Sequence, residues 1–303
     1  MIKISLTTQL FTLMAVMPYF GFCQKAGEMD KYLGQKPPGN HPQIFAPDFI
    51  SIDTLYEFGS VFSADGLEFF YGVNISFRPE IRYTRYVNGK WHQPITVISD
   101  PDFGMNDPFL SPDEDELYYI SDRPSNPKDR RNDHNIWYSK RQGDSWSPPI
   151  DPGPSINTDA NEYYISFTST GTMYFSSNKN AKDDYQNDFD IYTSQRLNGE
   201  YLPAKILNGS VNTEEYEADV FVAYDESYLI FSGNRKEGLG QGDLYVSFRG
   251  ENGQWGEAKN MTELINTPGH ELCPFVTKDG KYLFYTSNQD IYWVDAQVLE
   301  QFR

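Results

Sequence analysis

The chain has 303 residues, of which 39% are hydrophobic and 16% aromatic, enough to bury a sizeable core and incompatible with a disordered or collagen-like chain. Lys and Arg number 25 against 43 Asp and Glu, and a formal charge of -18 repels phosphate backbones, which excludes nucleic acid as a partner. The 22 Tyr and 21 Phe, with 23 Gly and 19 Pro spread along the whole length, favour many short strands over helices.

Taken from the start, residues 1–23 place one early positive charge, Lys3, before the apolar run LFTLMAVMPYFGF and the small residues Gly21 and Cys23. This reads as a secretory signal peptide cut before Gln24, which predicts a periplasmic or secreted protein. The bulky Phe22 argues against lipid attachment at Cys23. No later window reaches about 18 apolar residues, so no membrane span is expected. Residues 24–43 read as an N-terminal extension. Beyond Cys23 the single thiol is Cys273, in the apolar run LCPFV, where it reads as a buried core cysteine and leaves no intrachain disulfide.

Over residues 44–303 one module recurs five times. Its most regular strand begins at Phe69, Leu117, Met173, Leu229 and Leu283, spaced 48, 56, 56 and 54 residues apart. These strands read FFYGVN, LYYISD, MYFSSN, LIFSGN and LFYTSN, and each follows a tight turn. A second recurring strand follows a variable loop: EIRYTRY, NIWYSKR, DIYTSQR, DLYVSFR and DIYWVDA. Four of these lead to an aromatic residue, Trp91, Trp146, Tyr201 or Trp255, and a further strand. A linker of type INT recurs at 156–158, 211–213 and 265–267, with a looser copy at 52–54. Four antiparallel strands in about 50 residues, repeated, predict an all-β, five-bladed β-propeller of four-stranded antiparallel blades. The fifth module stops after its third strand, so the N-terminal piece QIFAPDFIS is expected to supply the fourth and close the ring.

The elements SPDEDELYYISD, MYFSSNK, DFDIY, WHQP and WSPP resemble the WD-like repeats of TolB-type β-propellers over essentially the whole mature chain, including its opening KYLGQKPPG and its DIYWVDAQVLE ending. The resemblance implies the propeller fold and a stand-alone secreted bacterial protein. It leaves function open, because such propellers serve as binding platforms, interaction modules and enzymes.

Antiparallel connectivity puts the loops between strands two and three on the same face as the linkers into each next blade, and a site is expected there. Those loops carry Arg78, Arg123, Lys128, Arg130, Arg131, Lys179, Lys182, Arg235 and Lys236. Arg123, Lys179 and Arg235 occupy equivalent repeat positions and form either a cradle for a carboxylate or pairs within each blade, near Asn135, Asp190 and Asp243. Glu57, Glu162, Glu217 and Glu271 recur where the chain enters the innermost strand and are expected to ring the channel mouth, as hydrolytic carboxylates or as hydrogen-bonding ties between blades. Asp183, Asp184, Asp188 and Asp190 lack the spacing of an EF-hand. His134 and His270 fall on the same face and read as departures from the repeat, while Tyr163, Tyr164 and Tyr216 flank the Glu positions as phenolic acids, stacking platforms or packing between blades.

Two functions compete. In the first, a uronate-containing oligosaccharide undergoes β-elimination, as a lyase or dehydratase reaction. Arg123, Lys179 and Arg235 neutralise its carboxylate, Glu162, Glu217 and Glu271 are further sugar contacts, and His134, His270 and Tyr163 transfer protons. Oligogalacturonate lyases built on propellers of similar repeats use histidines with a divalent metal, so the resemblance implies such a metal as cofactor, although none of their ligand spacings maps onto His134 or His270. In the second, the face docks a cell-envelope protein or glycan without catalysis. A glycosidase built on the Glu ring is a third reading.

Overall fold

The computed structural model describes residues 27–125, 133–181 and 188–303, so the expected signal peptide, Cys23, Lys128, Arg130, Arg131, Lys182, Asp183 and Asp184 lie outside the described residues. It is a five-bladed β-propeller of antiparallel blades. Blade 1 comprises Tyr56–Phe62, Glu68–Ile75, Arg78–Val87 and Ile95–Ile98, and blade 2 comprises Asn106–Leu110, Glu116–Ser121, Asn135–Gln142 and Ser145–Trp146. Blade 3 runs Glu162–Phe167, Met173–Ser177, Asp190–Ser194 and Lys205–Ile206, and blade 4 runs Tyr216–Val222, Tyr228–Asn234, Asp243–Phe248 and Lys259–Asn260. Blade 5 has Leu272–Val276, Tyr282–Ser287 and Asp290–Asp295, and its fourth strand is Gln43–Ile44 from the N-terminal side, paired antiparallel with Asp290–Asp295. Among the described residues no helix is long and apolar enough to cross a membrane.

The INT linker explains the repeat. Its Asn bonds both backbone groups of a third-strand residue in the blade just left: Asn157 with Ile136, Asn212 with Ile191 and Asn266 with Leu244, all at 2.8–3.1 Å. Its Thr donates through both N–H and hydroxyl to the Glu four residues on, with hydroxyl contacts of 2.7 Å from Thr158 to Glu162, Thr213 to Glu217 and Thr267 to Glu271. The amide at that position donates to the carbonyl at the entry of the preceding blade's third strand. This occurs in every blade: Met105 to Pro79, Glu162 to His134, Glu217 to Phe189, Glu271 to Gly242 and Glu57 to Gln289, at 2.8–3.0 Å.

The outer aromatics have their own recurring partner. Arg141 stacks on Trp146, Arg196 on Tyr201 and Arg249 on Trp255, with 4.7–5.6 Å from guanidinium to ring centroid. Two of these arginines also reach the neighbouring blade, Arg141 to Glu68 at 3.0 Å and Arg196 to Glu116 at 2.6 Å.

Ring closure centres on Phe45, which has no exposed surface and packs against Phe62 and Phe69 of blade 1 and Phe284 and Trp293 of blade 5, at centroid distances of 5.0–5.8 Å. Residues 27–43 also pack onto the ring, since Tyr32 is buried edge-on against Phe62 and Tyr282. Phe45→Ala removes the central ring from a junction of five and is expected to cost about 3–5 kcal/mol. Denaturant unfolding checks this, with exposed Leu197→Ala expected to shift stability by less than about 0.5 kcal/mol.

Candidate functional site at the axial mouth

The face carrying the two-to-three loops opens into a cavity of about 590 Å³ on the propeller axis. All five blades line it. Tyr56 and Phe58 come from blade 1, Asn106, Asp107 and His134 from blade 2, and Asn161, Tyr163 and Phe189 from blade 3 and its entry. Tyr216 and Asp219 come from blade 4, and His270, Leu272 and Cys273 from blade 5.

Each innermost strand has a bulge at the same place, where its register against the second strand shifts. There one residue takes a left-handed conformation: Gly59, Asp107, Tyr164, Asp219 and Cys273, with φ between 43° and 53°. The bulge turns these residues towards the axis. Gly59 is required at its position, because a Cβ there would lie 2.4 Å from Asp107 Oδ1. Tyr164 crosses the axis and donates to the Pro274 carbonyl at 2.9 Å.

Asp107 and Asp219 therefore form part of the cavity floor. Burial pushes the Asp107 carboxyl up to about 6 and, with the Asp107 charge adding to it, the Asp219 carboxyl up to about 7. Cys273 links them: its Sγ donates to Asp107 Oδ1 at 3.3 Å and its amide donates to Asp219. Burial and the two carboxylates hold its thiol well above the usual range, so it stays protonated.

His134, Tyr163, Phe189 and Tyr216 form one aromatic wall, with successive ring centroids 4.9, 5.6 and 5.8 Å apart. Among the described residues the hydroxyls of Tyr56, Tyr163 and Tyr216 make no hydrogen bond, and burial raises all three phenols, keeping them protonated as donors. Burial also lowers both histidines, favouring neutral imidazoles that can accept a proton. His270 stands where a Cβ on Gly242 would be, 2.4 Å from its ring, and its Nε2 lies 3.4 Å from Ser232 Oγ.

The structure brings His134, His270 and Tyr163 onto one cavity. Both histidines occupy repeat positions, contrary to the sequence expectation: His270 precedes the recurrent Glu as Tyr56, Asn161 and Tyr216 do, and His134 offers the same inter-blade carbonyl as Pro79, Phe189, Gly242 and Gln289.

Arg123, Lys179 and Arg235 do not line the cavity. Each lies over the ring two residues into its own blade's third strand: Arg123 over Trp137, Lys179 over Tyr192 and Arg235 over Tyr245, at 5.9, 3.9 and 4.8 Å. Arg123 also pairs with Asp100, and Arg235 with Glu217 at 3.0 Å. Nor do Glu57, Glu162, Glu217 and Glu271 ring the mouth; all four are fully buried, the last three in the linker knots, where Ser177 and Ser287 add hydroxyls to Glu162 and Glu271. Burial holds the Glu162 carboxyl at about 7. Sequence reasoning missed Asp107, Asp219, Tyr56 and Phe189. The available signal was an aspartate just ahead of the apolar half of the inner strands NDPFL and EADVF.

Among the described residues no group of three or more His, Cys, Asp or Glu is placed to hold a metal ion, so the donor set does not fit the divalent metal that the family resemblance implies.

These features define a five-bladed propeller with a cavity on its axis lined by aromatic, histidine and aspartate side chains. Among solved structures it is similar to a protein of unknown function from Dyadobacter fermentans, at 13% identity over 85% of this chain and 83% of that one, with a TM-score of 0.51. It is also similar to TolB from Acinetobacter baumannii, at 14% identity and a TM-score of 0.48, covering 79% of this chain, which spans about half (54%) of the TolB chain. A gluconolactonase from Xanthomonas campestris gives 14% identity over 82% of this chain and 88% of that one, with a TM-score of 0.45. No family model matches the chain, and no curated protein matches its sequence. The likeness to the Dyadobacter fermentans protein shows the fold alone.

Folding raises the Asp107 and Asp219 pKa values from 3.8, so the folded chain holds protons that the unfolded chain releases between about pH 4 and 7. Their contribution to stability is therefore greatest below that window and falls as the pH rises through 6 and 7. Asp219→Asn is expected to raise stability at pH 8 by roughly 2 kcal/mol and to flatten the decline, read by thermal unfolding from pH 5 to pH 8.

Proposed function

We propose that the axial cavity is a carbohydrate site and that the protein acts on an oligosaccharide there by acid–base chemistry, in the periplasm or outside the cell. The observation that carries this reading is the convergence of two neutral histidines and three unpartnered phenols on one cavity. The wall from Tyr163 through Phe189 to Tyr216 offers faces for a sugar ring, and Asn74, Asn106 and Asn161 offer amides to its hydroxyls. A volume near 590 Å³ suits a ligand of one or two sugar rings.

His134 and His270 are the bases in this reading. Tyr163, beside His134, is the acid that protonates a departing oxygen. Elimination on a uronic acid uses the same groups but also requires the sugar carboxylate to be neutralised. Because Arg123, Lys179 and Arg235 are engaged outside the cavity, that role falls to Asp107 and Asp219 as protonated carboxyls donating to the sugar carboxylate. A glycosidase reading likewise moves from the buried Glu positions to this aspartate pair.

The assay is a pH series on uronate-containing and neutral oligosaccharides, followed by ultraviolet absorbance and product mass. Elimination is expected to slow as the pH rises through 6 and 7, where the floor ionises. His134→Ala with His270→Ala is expected to lower kcat at least 100-fold. Binding by calorimetry with no product on any substrate would replace catalysis by a non-catalytic glycan-binding module, and neither binding nor product would remove the carbohydrate reading.

A further inference from the structure

We infer that the floor of the axial cavity is a seat for an organic cation, and that at neutral pH the preferred sugar carries an ammonium group. This rests on reading the cavity as the carbohydrate site and narrows its ligand to amino sugars.

The charged residues lining the cavity are Asp107 and Asp219, with no Lys or Arg among the lining residues. The titratable groups facing them are neutral: His134 and His270 through burial, the Cys273 thiol, and the phenols of Tyr56, Tyr163 and Tyr216. The net charge of the floor is thus set by its two carboxyls.

Those carboxyls are under-partnered. An ionised carboxylate accepts about four hydrogen bonds. Among the described residues Asp107 has one weak thiol donor and Asp219 has one amide, both from Cys273. Both side chains are more than nine-tenths buried, and both backbones are left-handed, a conformation disfavoured for a residue other than Gly. Two carboxyls more than nine-tenths buried, each holding a single donor from Cys273 and otherwise facing the cavity, are acceptors within reach of a ligand's donors.

The walls suit a cation too. Tyr56 and Phe58 line the cavity from blade 1, and Tyr163, Phe189 and Tyr216 from blades 3 and 4, so aromatic rings share the cavity with the carboxyls. The lack of a metal-competent donor cluster among the described residues, with this aromatic lining, favours an ammonium on an organic frame. Its N–H groups bond the aspartates while the sugar ring lies on the tyrosines.

The test is calorimetry on the full chain with three tetramers, deacetylated glucosamine, its N-acetylated counterpart and cellotetraose, and with tetramethylammonium as a separate fourth probe. At pH 7 the deacetylated tetramer is expected to bind at least tenfold more tightly than the other two. At pH 5, where both aspartates hold protons, the preference is expected to vanish, and Asp219→Asn is expected to erase it at pH 7. Asp107→Asn gives the same reading should the first variant fold poorly, and the pH series on the unaltered chain needs no variant. Equal affinity for all three tetramers, unchanged by pH, overturns the cation seat while leaving the carbohydrate site standing. Binding of tetramethylammonium alone, with the same dependence on pH and Asp219, upholds the cation seat and removes the carbohydrate reading. Failure of every probe overturns both.

Discussion

The structure depends on one hydrogen bond made five times around the axis, from an amide at the entry of each inner strand to the carbonyl at the entry of the preceding blade's third strand. It fixes the radial and vertical position of each blade against the last. Because the fifth copy runs from Glu57 back to Gln289, the series has no free end, and the N-terminal strand then seals the outer edge of blade 5. Everything above this belt is oriented by it: the residue just before the donor and the residue just after it both face the cavity, and the bulge one step further turns its side chain onto the axis. Tyr216, Ala218 and Asp219 illustrate this sequence in blade 4, and His270, Leu272 and Cys273 illustrate it in blade 5.

The same belt decides which charges are available. The Asn-Thr-x3-Glu arrangement needs its glutamate as an acceptor for the linker, so Glu162, Glu217 and Glu271 have their oxygens committed before any ligand arrives. The recurrent cations Arg123, Lys179 and Arg235 are likewise held by rings of their own blades. What repeats serves the ring, and what varies between blades at a fixed position serves the cavity. At the bulge the five residues are Gly, Asp, Tyr, Asp and Cys, a set with no common packing role.

This division explains which parts of the molecule were legible in the sequence. Blade number, strand order and closure follow from a period of about 50 residues and from the INT and aromatic signatures, because the interactions those residues make are the repeat itself. Recurrence was a poor guide to the site for the same reason: it drew attention to Arg123, Arg235 and the Glu positions, which the fold uses. Asp107 and Asp219 were hidden by the bulge. Strict alternation along NDPFL or EADVF assigns faces by parity, and one extra residue per strand reverses that parity at the point that matters. His270 could have been placed by counting back one residue from each recurrent Glu, which aligns it with Tyr56, Asn161 and Tyr216.

The axis below the floor makes the electrostatics decisive. Two residues beyond the bulge, Phe109 and Phe221 both pack against Phe275, and Phe167 joins Phe109 from blade 3, lining an apolar cavity of about 430 Å³ at the opposite end of the ring. The Tyr164 hydroxyl bonded to Pro274 crosses the axis. Water therefore reaches Asp107 and Asp219 from the upper cavity, while hydrocarbon lies beneath them, and this one-sided solvation drives both carboxyls towards their neutral forms. A ligand that fills the upper cavity removes the remaining water, so it has to bring either a positive charge for the ionised pair or conditions in which the pair keeps its protons. Charge at the floor and pH are consequently coupled. Ammonium-bearing sugars are favoured as the pH rises and carboxylate-bearing sugars as it falls, with the crossover set by the same two carboxyls.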